Sequence, residues 1–240
     1  MSNLIEIKNI QKVYNQNKPN AVNALKGVNI TIDRGEAIAL MGVSGSGKST
    51  LLHILGGMDS ATSGEYTFDG KQIVGSSVDA LADFRGNKVG FIFQQYGLLA
   101  TETVKSNMEL PLCFAKKKIS KDEASAKING ILQSLSISEL LNRKATELSG
   151  GQKQRVAIGR AIMNNPDMIL ADEPTGALDQ KTAKEIMAIL MKLVRDDNKT
   201  LIMATHDVNM TAGFDKIIYL EDGKIVDIKI LRNKETATAK

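Results

Sequence analysis

Apolar and polar residues alternate along much of the first third of the chain, most clearly in residues 28–33. A repeat of two predicts β-strands with one buried face, because successive side chains of a strand point to opposite sides. The pair Asp69-Gly70 follows residues 66–68, which also read as a strand, and predicts a tight hairpin turn. We therefore expect an antiparallel layer of strands in this part of the chain.

A different pattern interrupts these strands. Residues 37–41 form an uninterrupted apolar run, which is typical of a strand that is buried on both faces. A glycine-rich segment, residues 42–49, follows the run, and residues 51–55 then have a helical composition. The sequence predicts a buried strand, a loop and a helix in this order.

Helical spacing dominates from about residue 97 to residue 160. Ser120 and Glu123 have the spacing of a capping box, and the apolar residues that follow them recur on one helical face. A further helix is expected from Gly150 to a point just before Pro166, because proline cannot continue a helix. This part of the chain is predicted to form a helical subdomain.

Short apolar runs alternate with helical spacing in the last third of the chain. The runs are residues 168–171, 201–204 and 217–220, and residues 186–194 have the spacing of an apolar helix face. This alternation predicts a largely parallel sheet and therefore the α/β fold class. Ligands of such sheets bind at the carboxyl ends of the strands, so we expect the functional site at that edge.

The composition of the 240 residues is typical of a globular protein, with 42% hydrophobic and 24% charged residues. No apolar run approaches the roughly 20 residues that span a bilayer, and residues 1–6 lack the pattern of a secretion signal. The single cysteine, Cys113, cannot form an internal disulfide. These features predict a cytoplasmic protein, with a frayed tail expected at residues 236–240.

Basic and acidic residues are nearly balanced. The chain has 31 basic and 27 acidic residues, a net charge of +4, so nucleic acid is not an expected partner. The densest basic cluster comprises residues 116–118 and Lys121 and lacks interleaved aromatic residues. We interpret it as a solvated loop, with contact to anionic lipid or to a protein partner as a lesser alternative.

The glycine-rich segment matches the phosphate-binding pattern Gly42-x-x-x-x-Gly47-Lys48-Ser49 in full. Backbone N–H groups of such a loop, and the positive end of the helix after it, converge on phosphate oxygens. We expect Lys48 to reach the β and γ phosphates and Ser49 to bind Mg²⁺. A surface turn without function is the alternative. The predicted triphosphate-binding residues are Gly42, Val43, Ser44, Gly45, Ser46, Gly47, Lys48, Ser49 and Thr50.

Two carboxylates, Asp172 and Glu173, directly follow the apolar run at residues 168–171. One acid can hold a metal ion while the other holds water. We assign Asp172 to Mg²⁺, through the water shell of the ion, and Glu173 to the water that attacks the γ-phosphate. An acidic turn after an apolar strand is usually structural, and only the phosphate loop gives this pair a functional interpretation.

Two further polar residues follow predicted strands at the same edge. His206 comes after residues 201–204, and we expect its imidazole to hydrogen-bond the γ-phosphate, whereas His53 is expected to pack. Gln94 ends the strand predicted at residues 89–93, where its amide oxygen can contact Mg²⁺ or the attacking water. The catalytic candidates are Glu173, His206, Gln94 and Lys48, and the candidate metal ligands are Ser49, Gln94 and Asp172.

A second glycine loop is the least common feature of the sequence. It comprises Leu148, Ser149, Gly150, Gly151 and Gln152. We expect it to open a helix whose unpaired N–H groups and dipole favour an anion. One chain that binds one triphosphate needs only one phosphate cradle, so the second loop is predicted to serve the nucleotide of another chain. A two-fold dimer with two equal nucleotide sites follows.

With both nucleotide motifs and the second glycine loop in this order, the sequence resembles an ATP-binding cassette, the nucleotide-binding subunit of a membrane transporter. The resemblance covers nearly the whole chain. Residues 42–49 resemble the Walker A loop, residues 168–172 the Walker B strand and residues 148–152 the signature. Gln94 matches the Q-loop, Ala177, Leu178 and Asp179 match the D-loop, and His206 matches the switch histidine. Tyr14 lies where this family has an aromatic residue that stacks on adenine, with packing at a strand end as the alternative.

The resemblance implies a P-loop NTPase core of the RecA type, with an antiparallel β subdomain and an inserted α-helical subdomain. The single domain, residues 1–240, is then divided into a core with its β subdomain at about residues 1–96 and 161–230, a helical subdomain at about residues 97–160, and a tail from residue 231. The implied cofactors are ATP and Mg²⁺. The implied partners are a second copy of the chain across ATP and an integral membrane permease, which would hold the protein at the inner face of the membrane.

Residues 93–99 and 171–179 are most similar to the cassettes of macrolide exporters, lipoprotein release and antimicrobial-peptide resistance, which suggests export or extraction. Residues 100–107 depart from the usual pattern of the family in the region that meets the permease. A cassette ATPase that acts on DNA or ribosomes is the alternative. A GTP-binding switch is not favoured, because no Asn-Lys pair in the chain continues as the guanine-reading motif Asn-Lys-x-Asp. A small-molecule kinase would gain nothing from the second glycine loop.

Overall fold

The computed structural model describes residues 3–232, so residues 236–240 of the predicted tail lie outside the described part. The strands are β1 (Asn3–Tyr14), β2 (Val22–Asp33), β3 (Ala37–Met41), β4 (Ser63–Phe68), β5 (Lys71–Gln72), β6 (Val89–Ile92), β7 (Met168–Asp172), β8 (Thr200–Thr205), β9 (Lys216–Glu221) and β10 (Lys224–Ile230). The α-helices are α1 (Lys48–Leu55), α2 (Val78–Lys88), α3 (Val104–Glu109), α4 (Lys121–Ser134), α5 (Gly150–Ile162) and α6 (Gln180–Arg195). Within residues 3–232, no helix is both long and apolar enough to cross a membrane.

The smaller sheet is antiparallel and has the strand order β2-β1-β4-β5. Its last hairpin turns at Asp69 and Gly70, whose φ angles of 50° and 73° lie in the left-handed region. Asparagine, aspartate and glycine are the residues that adopt this conformation most readily. The antiparallel layer and its hairpin are therefore confirmed.

The larger sheet has the order β10-β9-β3-β8-β7-β6. All of its neighbouring strands run parallel except β10, which pairs with β9 in the antiparallel direction. The predicted α/β class with a largely parallel sheet is confirmed. Because β3, β7 and β8 are parallel neighbours, the segments that follow their carboxyl ends lie at one edge of the sheet.

The core lies on both faces of the larger sheet, and β3 shows why its apolar run is continuous. Ala37 and Ala39 belong to the apolar cluster that α5 and α6 cover, whereas Ile38 and Leu40 belong to the cluster between this sheet, α1 and the smaller sheet. Successive side chains of a strand alternate between the two faces, and both faces here exclude water. Every residue of the strand must therefore be apolar.

The predicted start of α4 and the predicted bounds of α5 are confirmed. Ser120 and Glu123 form a capping box at the start of α4, in which the side chain of each accepts a backbone N–H of the other. Helix α5 begins at Gly150 and ends before Pro166. The basic loop of residues 116–118 is exposed, as expected.

Helix α2 is an element that the apolar pattern did not predict. Its single buried residue is Phe84, so the helix has no periodic apolar face for the sequence to display. Phe84 packs edge-on against Tyr66 and Phe68 of β4, with ring centroids 6.4 and 5.0 Å apart. One buried aromatic side chain and the N-cap Ser77, whose side chain accepts the N–H of Ala80, stabilise this helix. The pattern of apolar residues alone does not predict it.

Candidate functional site

The predicted phosphate loop lies between β3 and α1, as expected. A Cβ atom on Gly42 would lie 2.2 Å from the carbonyl oxygen of Leu220, and one on Gly47 would lie 2.7 Å from that of Ala24. Only glycine fits at these two positions, which lets neighbouring backbone approach the loop closely. The loop therefore has the narrow backbone path that a phosphate cradle requires.

The ammonium group of Lys48 is held at this loop. Its Nζ donates to the carbonyl oxygens of Gly42 and Val43 at 2.8 and 2.9 Å, and the residue is 7% exposed. A buried ammonium group needs hydrogen-bond acceptors, and phosphate oxygens would serve it better because they carry charge. The position fits the predicted role of the lysine toward a triphosphate.

A cleft of about 690 Å³ opens beside this loop and collects most of the predicted residues. Its lining comprises Tyr14, Val22, Asn23, Ala24, Ser44, Gly45, Gly47, Lys48, Ser49, Thr50, Gln94, Asp172, Glu173, His206, Asp222 and Gly223. Of the predicted loop residues, Gly42, Val43 and Ser46 do not line it. Gly42 is packed against β9, Ser46 is buried, and Val43 is exposed elsewhere. No sequence motif pointed to Asn23, which lies at the start of β2, or to Asp222 and Gly223, which form the turn between β9 and β10.

Glu173 lies directly after β7, between two of the predicted catalytic residues. Its Oε1 is 3.1 Å from Nδ1 of His206, and its Oε2 accepts a hydrogen bond of 3.3 Å from Nε2 of Gln94. The residue has φ +45°, and its N–H donates to the carbonyl oxygen of Ala204 at the end of β8. Both carboxylate oxygens are thus oriented, and a side chain so fixed can align an attacking water.

Oxygen donors suited to a magnesium ion lie in the same cleft. Asp172 is the last residue of β7, Ser49 lies in the first turn of α1, and Gln94 follows β6. Mg²⁺ prefers oxygen ligands, keeps several waters, and is usually held by one or two carboxylates together with substrate phosphates. The donor set fits such an ion.

Tyr14 lines the cleft and is held by two residues that the sequence did not point to. Its hydroxyl donates to Oδ2 of Asp59 at 2.7 Å, and the ammonium of Lys12 lies over its ring, 4.7 Å from the centroid. Burial and the hydrogen bond to Asp59 raise the pKa of Tyr14. Asp59 lies 45 residues from Tyr14 in the chain, and no local pattern connects them.

The second glycine loop lies outside the cleft. Ser149 and Gln152 form a capping box at the start of α5, so the loop presents a helix N-terminus as predicted. A Cβ atom on Gly150 would lie 3.0 Å from the hydroxyl of Tyr96 and 3.3 Å from Cδ2 of Leu178, and one on Gly151 would lie 2.6 Å from Cγ2 of Thr182. None of the residues of this loop lines the cleft that contains Glu173.

The segment predicted as the D-loop, Ala177, Leu178 and Asp179, leads into α6. Asp179 caps this helix, because its Oδ1 accepts the N–H groups of Lys181 and Thr182 and its Oδ2 accepts the hydroxyl of Thr182. The hydrogen bonds from Thr182 lower the pKa of Asp179. The second glycine loop and this segment therefore pack against each other within one chain.

The family model for ABC transporters matches residues 25–176, the part of the chain that contains the phosphate loop and the second glycine loop. The chain belongs to the ABC transporter family. It is an ABC ATPase, and its structure superposes on the dimeric post-hydrolysis state of the ATP-binding cassette MJ0796 bound to ADP and Pi with a TM-score of 0.89, at 42% identity and over 95% of this chain and 99% of that chain. The predicted ATP-binding-cassette fold is confirmed.

Relatives of this ABC ATPase support the predicted subgroup. The chain is 45% identical to the uncharacterized ABC transporter ATP-binding protein MJ0796 of Methanocaldococcus jannaschii, over 92% of this chain and 95% of that protein. It is 43% identical to the lipoprotein-releasing system ATP-binding protein LolD of Porphyromonas gingivalis, over 92% and 97%. It is 44% identical to the macrolide export ATP-binding/permease protein MacB of Mannheimia succiniciproducens, over 94% of this chain but 34% of that protein. The predicted resemblance to macrolide export and lipoprotein release is confirmed.

Proposed function

We propose that this ABC ATPase is the motor subunit of a membrane exporter or extractor, and that two copies close on two ATP molecules. One observation carries the proposal: the cleft holds an oriented Glu173 beside the phosphate loop, whereas the second glycine loop of the same chain lies outside it. A nucleotide bound in this cleft meets only one anion-binding helix end of its own chain. The second helix end must come from another chain.

The chemistry assigned to the cleft is hydrolysis of the γ-phosphate. Lys48 and the backbone of residues 42–49 bind the phosphates, and Ser49, Asp172 and Gln94 would hold Mg²⁺. The bound ion would neutralise charge on the phosphate oxygens. Glu173 aligns and polarises the attacking water. Its contact with Nδ1 of His206 leaves Nε2 as the ring nitrogen available to the γ-phosphate.

The dimer follows from the two anion-binding helix ends. The N-terminus of α1 faces the phosphates in its own chain, and the N-terminus of α5 would face those bound to the second copy. A two-fold axis makes both sites equivalent, so each copy contributes residues 148–152 to the ATP of the other. Loss of the γ-phosphate removes the anion shared by the two helix ends, and the dimer opens.

An apolar cleft of about 540 Å³ is suited to the permease. It lies between α2, β6, α5 and the short 3₁₀-helix Leu110–Phe114. Three large apolar side chains at its border are exposed, namely Phe93 at 36%, Leu110 at 36% and Phe114 at 66%. Exposed apolar surface in a concave site is typical of a protein-binding site. This cleft adjoins Gln94, so a permease segment bound there would be sensitive to the state of the γ-phosphate.

The names of the relatives favour transport over a role on DNA or ribosomes. MacB is named for macrolide export and LolD for lipoprotein release, and we extend export or extraction of a peptide, antibiotic or lipoprotein-like cargo to this chain. Membrane association through a permease, at the inner face of the membrane, follows from the same proposal. The cargo is chosen by the permease and not by these residues.

Two measurements test the proposal. Purified protein should hydrolyse ATP in the presence of Mg²⁺, and chelation by EDTA should stop the reaction. In its own cells, the tagged protein should co-purify from detergent-solubilised membranes with one integral membrane protein. Phe114→Glu should abolish that co-purification, whereas Val78→Glu, at an exposed apolar residue outside the cleft, should retain it. Equal recovery of the membrane protein with both variants would overturn the assignment of the apolar cleft to the permease.

A further inference from the structure

Lys12 and Tyr14 stand on the same side of β1, because residues two apart in a strand share a face. The ammonium of Lys12 lies 4.7 Å from the centroid of the Tyr14 ring, a distance at which a cation is attracted to the face of an aromatic ring. One face of the ring is thus occupied by a residue of the same chain. The other face is the one that a planar ligand can use.

Asp59 fixes both of these side chains. Its Oδ1 accepts a hydrogen bond of 2.6 Å from Lys12, and its Oδ2 accepts one of 2.7 Å from the hydroxyl of Tyr14. Lys12 also donates to the carbonyl oxygen of Ser60 at 2.7 Å. Lys12 is nearly buried, with a side-chain exposure of 12%. A tyrosine held at its hydroxyl and at one face loses little further freedom when a ligand binds its second face.

The ionisation states agree with this arrangement. Burial raises the pKa of Asp59 by itself, but the hydrogen bonds from Lys12 and Tyr14 outweigh burial, and the net pKa of Asp59 is lowered. Burial, together with the bond to Asp59, raises the pKa of Tyr14. At neutral pH the carboxylate is therefore charged and the tyrosine hydroxyl keeps the proton that it donates.

We propose that Lys12 and Asp59 are positioning residues that hold the ring of Tyr14 as a preformed platform for the adenine of ATP. This inference rests on the proposed function, because it takes Tyr14 as the residue that stacks on the base. Tyr14 and the phosphate loop line the same cleft, so one ligand can reach both. Neither Lys12 nor Asp59 lines that cleft, and both act through the tyrosine.

The test compares ATP with inorganic tripolyphosphate, which carries the phosphates but no base. Tyr14→Ala should weaken ATP binding by about tenfold, which corresponds to about 1.4 kcal/mol and lies within the range for a base stacked on an aromatic side chain. Asp59→Asn and Lys12→Met leave the ring present but free to move, and each should raise the Kd for ATP by about three- to fivefold. The Kd for tripolyphosphate should be unchanged in all three variants, which also shows that each variant folds.

Steady-state kinetics supply the second readout. Asp59→Asn should raise KM for ATP by the same factor as Kd and leave kcat unchanged, because the reacting phosphate is bound as before. The matched controls are Lys8→Met, on the same strand but paired with Glu6, and Asp83→Asn, on α2. Both variants should bind ATP like the unmodified protein.

The outcomes separate this inference from the proposed function. If Tyr14→Ala leaves the Kd for ATP unchanged, the stacking role of Tyr14 fails and the inference fails with it, while hydrolysis and dimerisation stand. If Tyr14→Ala weakens ATP binding but Asp59→Asn and Lys12→Met do not, the stacking role stands and the positioning role is overturned. A variant that lowers only the melting temperature, or that weakens ATP and tripolyphosphate equally, also contradicts the positioning role.

Discussion

Oε1 of Glu173 lies 3.1 Å from Nδ1 of His206, and the two residues follow the adjacent strands β7 and β8. The register that pairs Asp172 with Ala204 brings the two side chains to the same edge of the sheet. A glutamate that aligns water must be held in one orientation. The contact with His206 limits the orientations that the Glu173 side chain can adopt. The residue proposed to align water and the residue proposed to sense the γ-phosphate are therefore in direct contact.

Replacement of the histidine tests that unit. His206→Ala should lower kcat for ATP hydrolysis by at least about tenfold, because Glu173 loses the contact that orients it. The Kd for ATP should change by less than about twofold, because the phosphate loop is intact. His53→Ala removes the other histidine, which lies in α1 and packs on Phe91 of β6, and this variant should retain turnover. Steady-state assays and nucleotide titration measure both quantities, and a fall in kcat that is equal for the two variants would contradict the role of His206.

The carboxylate itself should matter more than its partner. Glu173→Gln keeps the size of the side chain but cannot accept a proton, so kcat should fall by about 10²- to 10⁴-fold. ATP binding should be retained. Glu185→Gln, at a carboxylate that pairs with Arg155 on the surface, is the control and should hydrolyse ATP normally. An unchanged ATPase rate in purified Glu173→Gln protein would reject the assignment of this residue.

The second glycine loop gives a prediction about assembly. Gly150→Asp adds a negative charge at the N-terminus of α5 and a side chain that meets the hydroxyl of Tyr96 and Leu178. ATP-driven dimerisation should be lost, while the monomer should still bind ATP in its own cleft.

Gly130→Asp provides the matched control, because a Cβ atom at this position on α4 has no neighbour within 4 Å. It places the same charge on another helix without a clash. Light scattering with ATP and equilibrium nucleotide binding measure the two properties. Normal dimerisation of Gly150→Asp would exclude this loop from the interface.

Asp167, just before β7, makes stability depend on pH. Burial raises the pKa of this carboxyl, but Lys88 and Arg34, each 2.8 Å from one of its oxygens, outweigh burial, and the net pKa is lowered. A lowered folded-state pKa contributes stability above the unfolded-state pKa, and this contribution is lost as pH falls through the folded-state value.

Asp167→Asn should remove that dependence. Urea unfolding between about pH 5 and pH 3 should show a smaller loss of unfolding free energy in the variant than in the unmodified protein. Asp227→Asn, which removes an exposed carboxylate on the edge strand β10, is the control. Parallel pH profiles of Asp167→Asn and the unmodified protein would show that the pairing with Lys88 and Arg34 has no energetic effect.

Much of the fold was accessible from the sequence because it is encoded over short distances. The turn at Asp69-Gly70, the capping box of Ser120 and Glu123, and the buried run of β3 each depend on residues close together in the chain. Helix α2 was missed because a single buried residue, Phe84, gives no periodicity.

The site was predicted where motifs define it and missed where the tertiary fold assembles it. Gln94, Glu173 and His206 each follow a strand, and the parallel sheet brings such ends together. The contacts of Asp59 with Lys12 and Tyr14 span 47 and 45 residues, and the geometry of β1 against the turn after α1 creates them. No spacing rule predicts contacts of this kind.

In the proposed dimer, ATP is enclosed between two copies of this chain. Light scattering of Glu173→Gln protein over a range of concentrations, with Mg²⁺ and ATP and then without nucleotide, measures whether ATP joins two copies. We expect the mass of one chain without nucleotide and twice that mass with ATP. The dimer is excluded if the variant keeps the mass of one chain with ATP at every concentration, while the unmodified protein hydrolyses ATP at a rate per molecule that does not change on dilution.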